Sequence, residues 1–229
     1  MKTSYLALAI LAFCTQLLSG CATTIAVDKQ IPVAKYKTAN TVSLAVIDSR
    51  PFVTDGSTSN TYVGTTIHAY GIHARRHVFS YLSDDEKDEQ KPLSTFLQGR
   101  LETGLKGSNW AATAVVLATF PTQKIAEDIF NSTGSNRLLV INLTEWRSRF
   151  DGHISDKFDF NTAYSVSVFK KGGDNAFIKN MGKSHHYSLS VLAKNNEDAT
   201  SVRNAIILLT KDELAKIIND PDIREKLTN

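Results

Sequence analysis

The strongest constraint on the fold lies between residues 137 and 192. Arg137 to Phe150 opens with Leu-Leu-Val-Ile-Asn-Leu, apolar on both faces, and then alternates. A strand that is apolar on both faces belongs inside a sheet covered on both sides. Phe158, Phe160, Tyr164, Val166 and Val168 alternate with Asp159, Asn161, Ser165 and Ser167. That is the period of a strand with one wet face. Lys171-Gly172-Gly173-Asp174 reads as a hairpin turn. The returning strand, Phe177 to Leu192, places Phe177, Met181, Tyr187, Leu189 and Val191 on one face.

The rest of the chain supplies partners for these strands. Thr41 to Asp48 is a short β-branched run suited to a buried strand, and Pro51 stops it. Pro92 to Lys106 repeats apolar residues every three or four positions and predicts a helix ended by Gly107. Ala114 to Leu117 suggests a strand, and Thr122 to Ser132 a second helix ended by Gly134. Glu197 to Asn219 predicts a long helix with Asp198 in its first turn, and Pro221 opens a short one to Leu227. Phe52 to Lys91 reads as a long polar segment with a small hairpin at Thr61 to Tyr70. The order β-α-β-α-β-β-β-α predicts an α+β fold, an α/β sandwich. Its mixed β-sheet carries a long C-terminal antiparallel hairpin and packs against two to three helices. With 229 residues and 42% hydrophobic composition the chain supports one core without staples.

The N-terminus sets the compartment. Lys2 precedes an apolar stretch, Tyr5 to Leu18, too short to span a bilayer. It ends in Leu18-Ser19-Gly20-Cys21, which resembles the lipobox of bacterial lipoproteins. The expected organisation is a lipoprotein signal peptide over 1–20, a tether over 21–40 and a single periplasmic α/β domain over 41–229. Fully extended, Ala22 to Asn40 would reach roughly 60 Å; Thr24 to Val27 could instead add an edge strand. The lipobox resemblance implies cleavage before Cys21, a thioether diacylglycerol on its sulfur and an acyl group, such as palmitate, on its new amine. Several acyl chains anchor far more firmly than one. Ala22 and Thr23 follow in place of the aspartate that retains lipoproteins in the inner membrane, so the implied address is the outer membrane, facing the periplasm. Cys14 leaves with the signal, which excludes an intrachain disulfide and a Cys-based zinc site.

Candidate chemistry is sparse. Asp48 and Arg50 lie at the end of the first strand, a favoured place for partner or ligand binding; the plainer alternative is a turn pinned by Asp48 with Arg50 in solvent. His68, His73 and His77 are the metal candidates, because His73 and His77 would share one face of a helix. Arg75 and Arg76 lie between these two, and their charge disfavours a cation, so no metal and no other cofactor is expected. As a basic stretch, His73 to His77 faces the acidic Asp84 to Glu89, a partner or lipid headgroups. His185 and His186 point to opposite faces of a strand and cannot chelate one ion. No nucleophile elbow, phosphate loop, dinucleotide fingerprint or zinc-protease helix occurs, so no enzymatic activity is expected. A net charge of +3 is too small to indicate nucleic acid.

The strand TVSLAVIDSR, the helix PLSTFLQGRLETGLKGSNW, the segment SHHYSLSVLAKN and the helix SVRNAIILLTKDELAKIINDPDIREKL follow the lipobox in this order. Together they resemble the YajG-like group of bacterial outer-membrane lipoproteins. RLLVINLTEWRSRFDG is also similar to lipoproteins related to the curli-secretion and TolB amino-terminal α/β folds. The YajG-like group implies no catalytic residues. The expected function is therefore a lipid-anchored periplasmic lipoprotein with a non-enzymatic binding or assembly role. Its expected contacts are the membrane, through the anchor, and an envelope protein; homo-oligomers stay open. Two alternatives are a subunit of an oligomeric secretion or envelope-assembly complex, and a metal-dependent hydrolase using the His68, His73 and His77 segment.

Overall fold

In the computed structural model the described residues are 25–83, 85–152, 157–188, 191 and 201–229. Seven strands form one mixed sheet: β1 (Thr41–Asp48), β2 (Tyr62–Ile67), β3 (His73–His77), β4 (Ala111–Ala114), β5 (Arg137–Asp151), β6 (Lys157–Lys170) and β7 (Phe177–Ser188). Among the described residues six α-helices of four or more residues accompany them: α1 (Pro51–Thr54), α2 (Val78–Tyr81), α3 (Leu93–Gly107), α4 (Gln123–Thr133), α5 (Val202–Asn219) and α6 (Pro221–Thr228). The fold is α+β, with the sheet and long hairpin that the pattern predicts.

Strand β5 is shared by three neighbours. β6 pairs with it antiparallel from end to end. On its other edge β1 runs parallel to its first half, from Val42 beside Arg137 to Asp48 beside Leu143. β2 runs parallel to its last residues, from Gly64 beside Ser148 to Ile67 beside Asp151. β3 pairs antiparallel with β2 and forms that edge, while β4 lies outside β1. The β2–β3 hairpin therefore extends the sheet past the end of β1.

The doubly apolar LLVINL run is explained by two cores. Leu139, Ile141 and Leu143 join the larger cluster, with Leu97 and Leu101 of α3 and Ile206 and Leu214 of α5. Leu138 and Val140 point the other way, to Ala126 and Phe130 of α4. Beyond α4 that second face is polar, as the alternation of β6 requires. A bend crosses the sheet where Thr144 is left unpaired between Leu143 and Glu145. At the same level Gly182 has φ +140, and a Cβ there would lie 2.2 Å from the Thr162 carbonyl oxygen. Only glycine fits that position.

Several boundaries differ from the sequence reading. The long 52–91 segment holds α1, the β2–β3 hairpin and α2, so its hairpin runs well past Tyr70. The strand expected at Ala114 to Leu117 lies at Ala111–Ala114, in register with Thr41 to Leu44. Helix α5 begins at Val202, because the Ser201 side chain accepts from the Asn204 N–H and its backbone is extended. Asp198, expected in its first turn, and Leu189 lie outside the described residues.

From Ile25 onward the segment expected as a tether lies on the domain. Val27–Gln30 is a short 3-10 turn, not an edge strand. The Ala34 N–H donates to Ser108 Oγ at 3.1 Å, and Arg100 donates to Gln30 Oε1 at 2.9 Å. A Cβ on Gly104 would meet the Pro32 carbonyl oxygen at 2.2 Å. Residues 30, 32 and 34 thus meet residues 100, 104 and 108 in turn, so the segment runs parallel to α3. Its N-terminal end, Ile25, is buried in the larger core and shares a groove wall with Thr95 and Phe96, near the start of α3.

Candidate functional site

Cys21 lies outside the described residues. Chain length alone limits its position. Four residue steps separate it from the buried Ile25, and a fully extended chain spans no more than ~14 Å over that number. The packing of residues 25–40 therefore replaces the expected 60 Å reach with a short one. A lipid on Cys21 would hold the end of the domain near Ile25 close to the bilayer.

Asp48 and Arg50 form a buried clamp. Arg50 is fully buried, which overturns the reading that leaves it in solvent. Its Nε and Nη2 donate to the two Asp48 carboxylate oxygens, each at 2.7 Å. Nη1 donates to the carbonyls of Tyr62 at 2.7 Å and Trp146 at 3.0 Å, and Nη2 also donates to Asn60 at 3.3 Å. The guanidinium lies over the Phe52 ring. Its donors are used inside the fold, so the side chain offers a partner nothing. It ties the end of β1 to β5 and to the base of the β2–β3 hairpin. A buried, bidentate arginine of this kind fixes geometry more than it adds stability.

The histidine and arginine candidates sit on that hairpin. His73 and His77 lie four apart on β3, not on a helix, so their backbones are about 13 Å apart and the ring pair for a metal is not assembled. His68 shares a hydrogen bond with Arg76 Nη2 at 3.0 Å, and His77 Nδ1 pairs with Thr61 Oγ1 at 2.9 Å. Partial burial, and then the neighbouring Arg75 charge, hold the His77 imidazole below its ordinary pKa. Among the described residues no three His, Cys, Asp or Glu side chains group as metal ligands. Arg76 lies over the Tyr81 ring and donates to Thr66 Oγ1, so it is engaged within the hairpin. Arg75 points outward and is exposed.

Sequence reading missed the hairpin tip. Tyr70 is 92% exposed and Ile72 63% exposed. The turn that carries them is closed by the His68 N–H donating to the Ile72 carbonyl at 2.8 Å and the Gly71 N–H to the His68 carbonyl. Tyr70 and Gly71 both adopt positive φ, 63° and 72°. A tyrosine in the left-handed region is uncommon and pays a steric penalty. The available signal was the Ala-Tyr-Gly-Ile run between the Thr65-Thr66-Ile67 stretch and the basic His73 to His77 stretch.

A second missed feature is a buried polar network under α5. Glu213, 2% exposed, accepts from the Tyr164 hydroxyl at 3.1 Å, from His185 Nε2 at 3.3 Å and from the Lys216 ammonium. His185 Nδ1 in turn pairs with the Tyr187 hydroxyl at 2.8 Å. Burial opposes the Glu213 charge, but Lys216, His185 and Tyr164 outweigh it and hold the carboxyl below its ordinary range. Burial, then the Glu213 charge, push the Tyr164 hydroxyl up. His186, on the other face, pairs with Asp159 at 2.7 Å, as the strand period requires. Glu213 was visible in the sequence as a carboxylate on the Ile206, Thr210, Ile217 stripe. The network bolts helix to sheet and is closed to solvent on the Glu213 side.

The fold and these sites define a class: an α+β domain with a helix-covered mixed sheet, a buried arginine clamp and a projecting hairpin. No protein-family model matches the chain, and no curated protein matches it significantly. Distantly similar solved structures include the following three. A Xanthomonas campestris protein of the DUF330 family is 9% identical, with TM-score 0.43, over 82% of this chain and 90% of that one. A dodecameric PelC from Paraburkholderia phytofirmans is 10% identical, with TM-score 0.38, over 82% and 94%. Lipoprotein GNA1162 from Neisseria meningitidis is 9% identical, with TM-score 0.29, over 71% and 99%.

Proposed function

We propose that this chain is a lipid-anchored lipoprotein of the Gram-negative envelope, akin to the YajG-like group. Cys21 carries the lipid, the outer membrane holds it, and the domain works in the periplasm in a non-enzymatic binding or assembly role. The observation that carries the reading is Leu18-Ser19-Gly20-Cys21 behind an apolar stretch, ending four residue steps before Ile25, which is buried in the core. The use of Arg50 and Glu213 inside the fold supports a structural rather than a catalytic role for the best-built charged groups. Among the described residues no helix is long and apolar enough to cross a membrane.

The test is growth with radiolabelled palmitate, comparing the natural chain with Cys21→Ala, followed by membrane fractionation and mass measurement of the N-terminal peptide. Label and outer-membrane recovery are expected for the natural chain and are lost in the variant. A natural chain recovered free in the periplasm with an unmodified thiol overturns the reading. Crosslinking in intact cells then identifies the envelope partner, and the size of the detergent-extracted protein reports whether copies assemble.

A further inference from the structure

Traced from residue 34 back to Ile25, the N-terminal segment runs in the same direction as strand β2 of the β2–β3 hairpin. Residues 34 to 25 climb α3 from its C-terminal end to its first turns. Helix α3 returns antiparallel between the parallel strands β1 and β4, so climbing it toward Leu93 follows the direction of β1, β5 and β2. The Leu93 N–H donates to the Asn60 carbonyl, which places the start of α3 level with the base of the hairpin. From that base, Tyr62 to Ile67 rises by roughly 17 Å at about 3.3 Å per residue before the turn begins. The tip thus projects at least as far as Cys21 can extend beyond Ile25, which is ~14 Å. A flat surface laid across this end of the domain within reach of Cys21 meets the hairpin tip.

The tip has the chemistry for that surface. Tyr70 and Ile72 are its exposed apolar groups. Residues 56–83 contain no aspartate or glutamate, and Arg75 faces outward on β3 three residues behind Ile72. A tyrosine with a polar tip and an apolar body sits well at the headgroup level, and an arginine about 10 Å behind matches anionic headgroups. The Arg50 clamp holds the base of the hairpin to Trp146, Tyr62 and Asn60, so the tip is presented by a fixed strut.

Resting on the anchor reading, we infer that the β2–β3 tip is a second membrane contact, with Tyr70 and Ile72 entering the headgroup layer of the leaflet that holds Cys21. Arg75 lies against anionic headgroups behind them. The two attachments together set the orientation of the domain on the membrane. The polar face of the sheet and the Lys171 to Asp174 turn, at the other end of β6, then stay clear of the lipid.

The test uses the full lipidated chain reconstituted into vesicles of phosphatidylethanolamine and phosphatidylglycerol, some with a nitroxide on the headgroup. Tyr70→Trp reports the tip and Asp174→Trp the opposite end. The native Trp110 and Trp146 are buried, 3% and 1% exposed, and give a constant background. The expected result is a blue shift and nitroxide quenching for Tyr70→Trp, with neither for Asp174→Trp. Solvent-like, unquenched emission from Tyr70→Trp on vesicle-bound, Cys21-acylated protein overturns the inference and leaves the anchor standing. Quenching of both positions also overturns it, because the domain then has no fixed orientation. An N-terminal peptide with an unmodified Cys21 overturns the anchor and the second contact together.

Discussion

Replacing Arg50 with methionine keeps most of the stem volume and removes the charge and all donors. The Asp48 carboxylate, whose side chain is only 8% exposed, then loses its bidentate partner. Breaking a buried pair in this way costs about 3–5 kcal/mol, because one charge stays behind without compensation. The carbonyls of Asn60, Tyr62 and Trp146 lose a donor as well; water entering at the hairpin base offsets part of that. The expected loss is about 4 kcal/mol. For a domain of this size a kilocalorie corresponds to about 2–4 °C, so Tm should fall by roughly 8–16 °C. Thermal and urea unfolding followed by circular dichroism measure it. The double variant Asp48→Ala/Arg50→Met should recover part of the loss, since the orphaned carboxylate is gone. A loss under about 1 kcal/mol for Arg50→Met, the size of an exposed pair, refutes the clamp. So does a double variant whose loss equals the sum of the two single losses.

Glu213 makes the acid side of the stability curve informative. Its carboxyl is held below the ordinary range in the folded chain, so it contributes stability above the ordinary glutamate pKa and loses it as pH falls through the folded value. Glu213→Gln should lower stability at neutral pH and flatten the fall on acidification, as urea midpoints across that range would show; an unchanged acid limb counts against the network. Gly182→Ala places a Cβ against the Thr162 carbonyl in a backbone conformation that side chains avoid, and should cost about 1–3 kcal/mol in urea unfolding. A neutral Gly182→Ala would mean that the bend at Thr144 and Gly182 is not required.

The legibility of this protein follows the range of the interactions that decide each part. Period and capping are local, so the sequence showed the helix at Leu93–Gly107, the Thr122 cap, the Gly134 stop and the three antiparallel strands. Opposite faces for His185 and His186 also follow from the strand period alone. The lipobox-like run Leu18 to Cys21 is a linear signal, legible without any tertiary contact. What the sequence left open depends on which distant segments meet. Nothing local distinguishes a solvated Arg50 from one that is buried, because its carbonyl partners lie on β2, β5 and the segment between α1 and β2. The spacing of His73 and His77 suits a helix or a strand equally, and pairing with β2 chose the strand. The segment before Thr41 looks like a tether until Gly104 and Ser108 of the α3 end receive it. The residues determined which elements form and where an anchor would attach. Tertiary packing decided how far an anchor on Cys21 could reach beyond Ile25 and how the β2–β3 hairpin is held, because both are set by contacts between residues far apart in the chain.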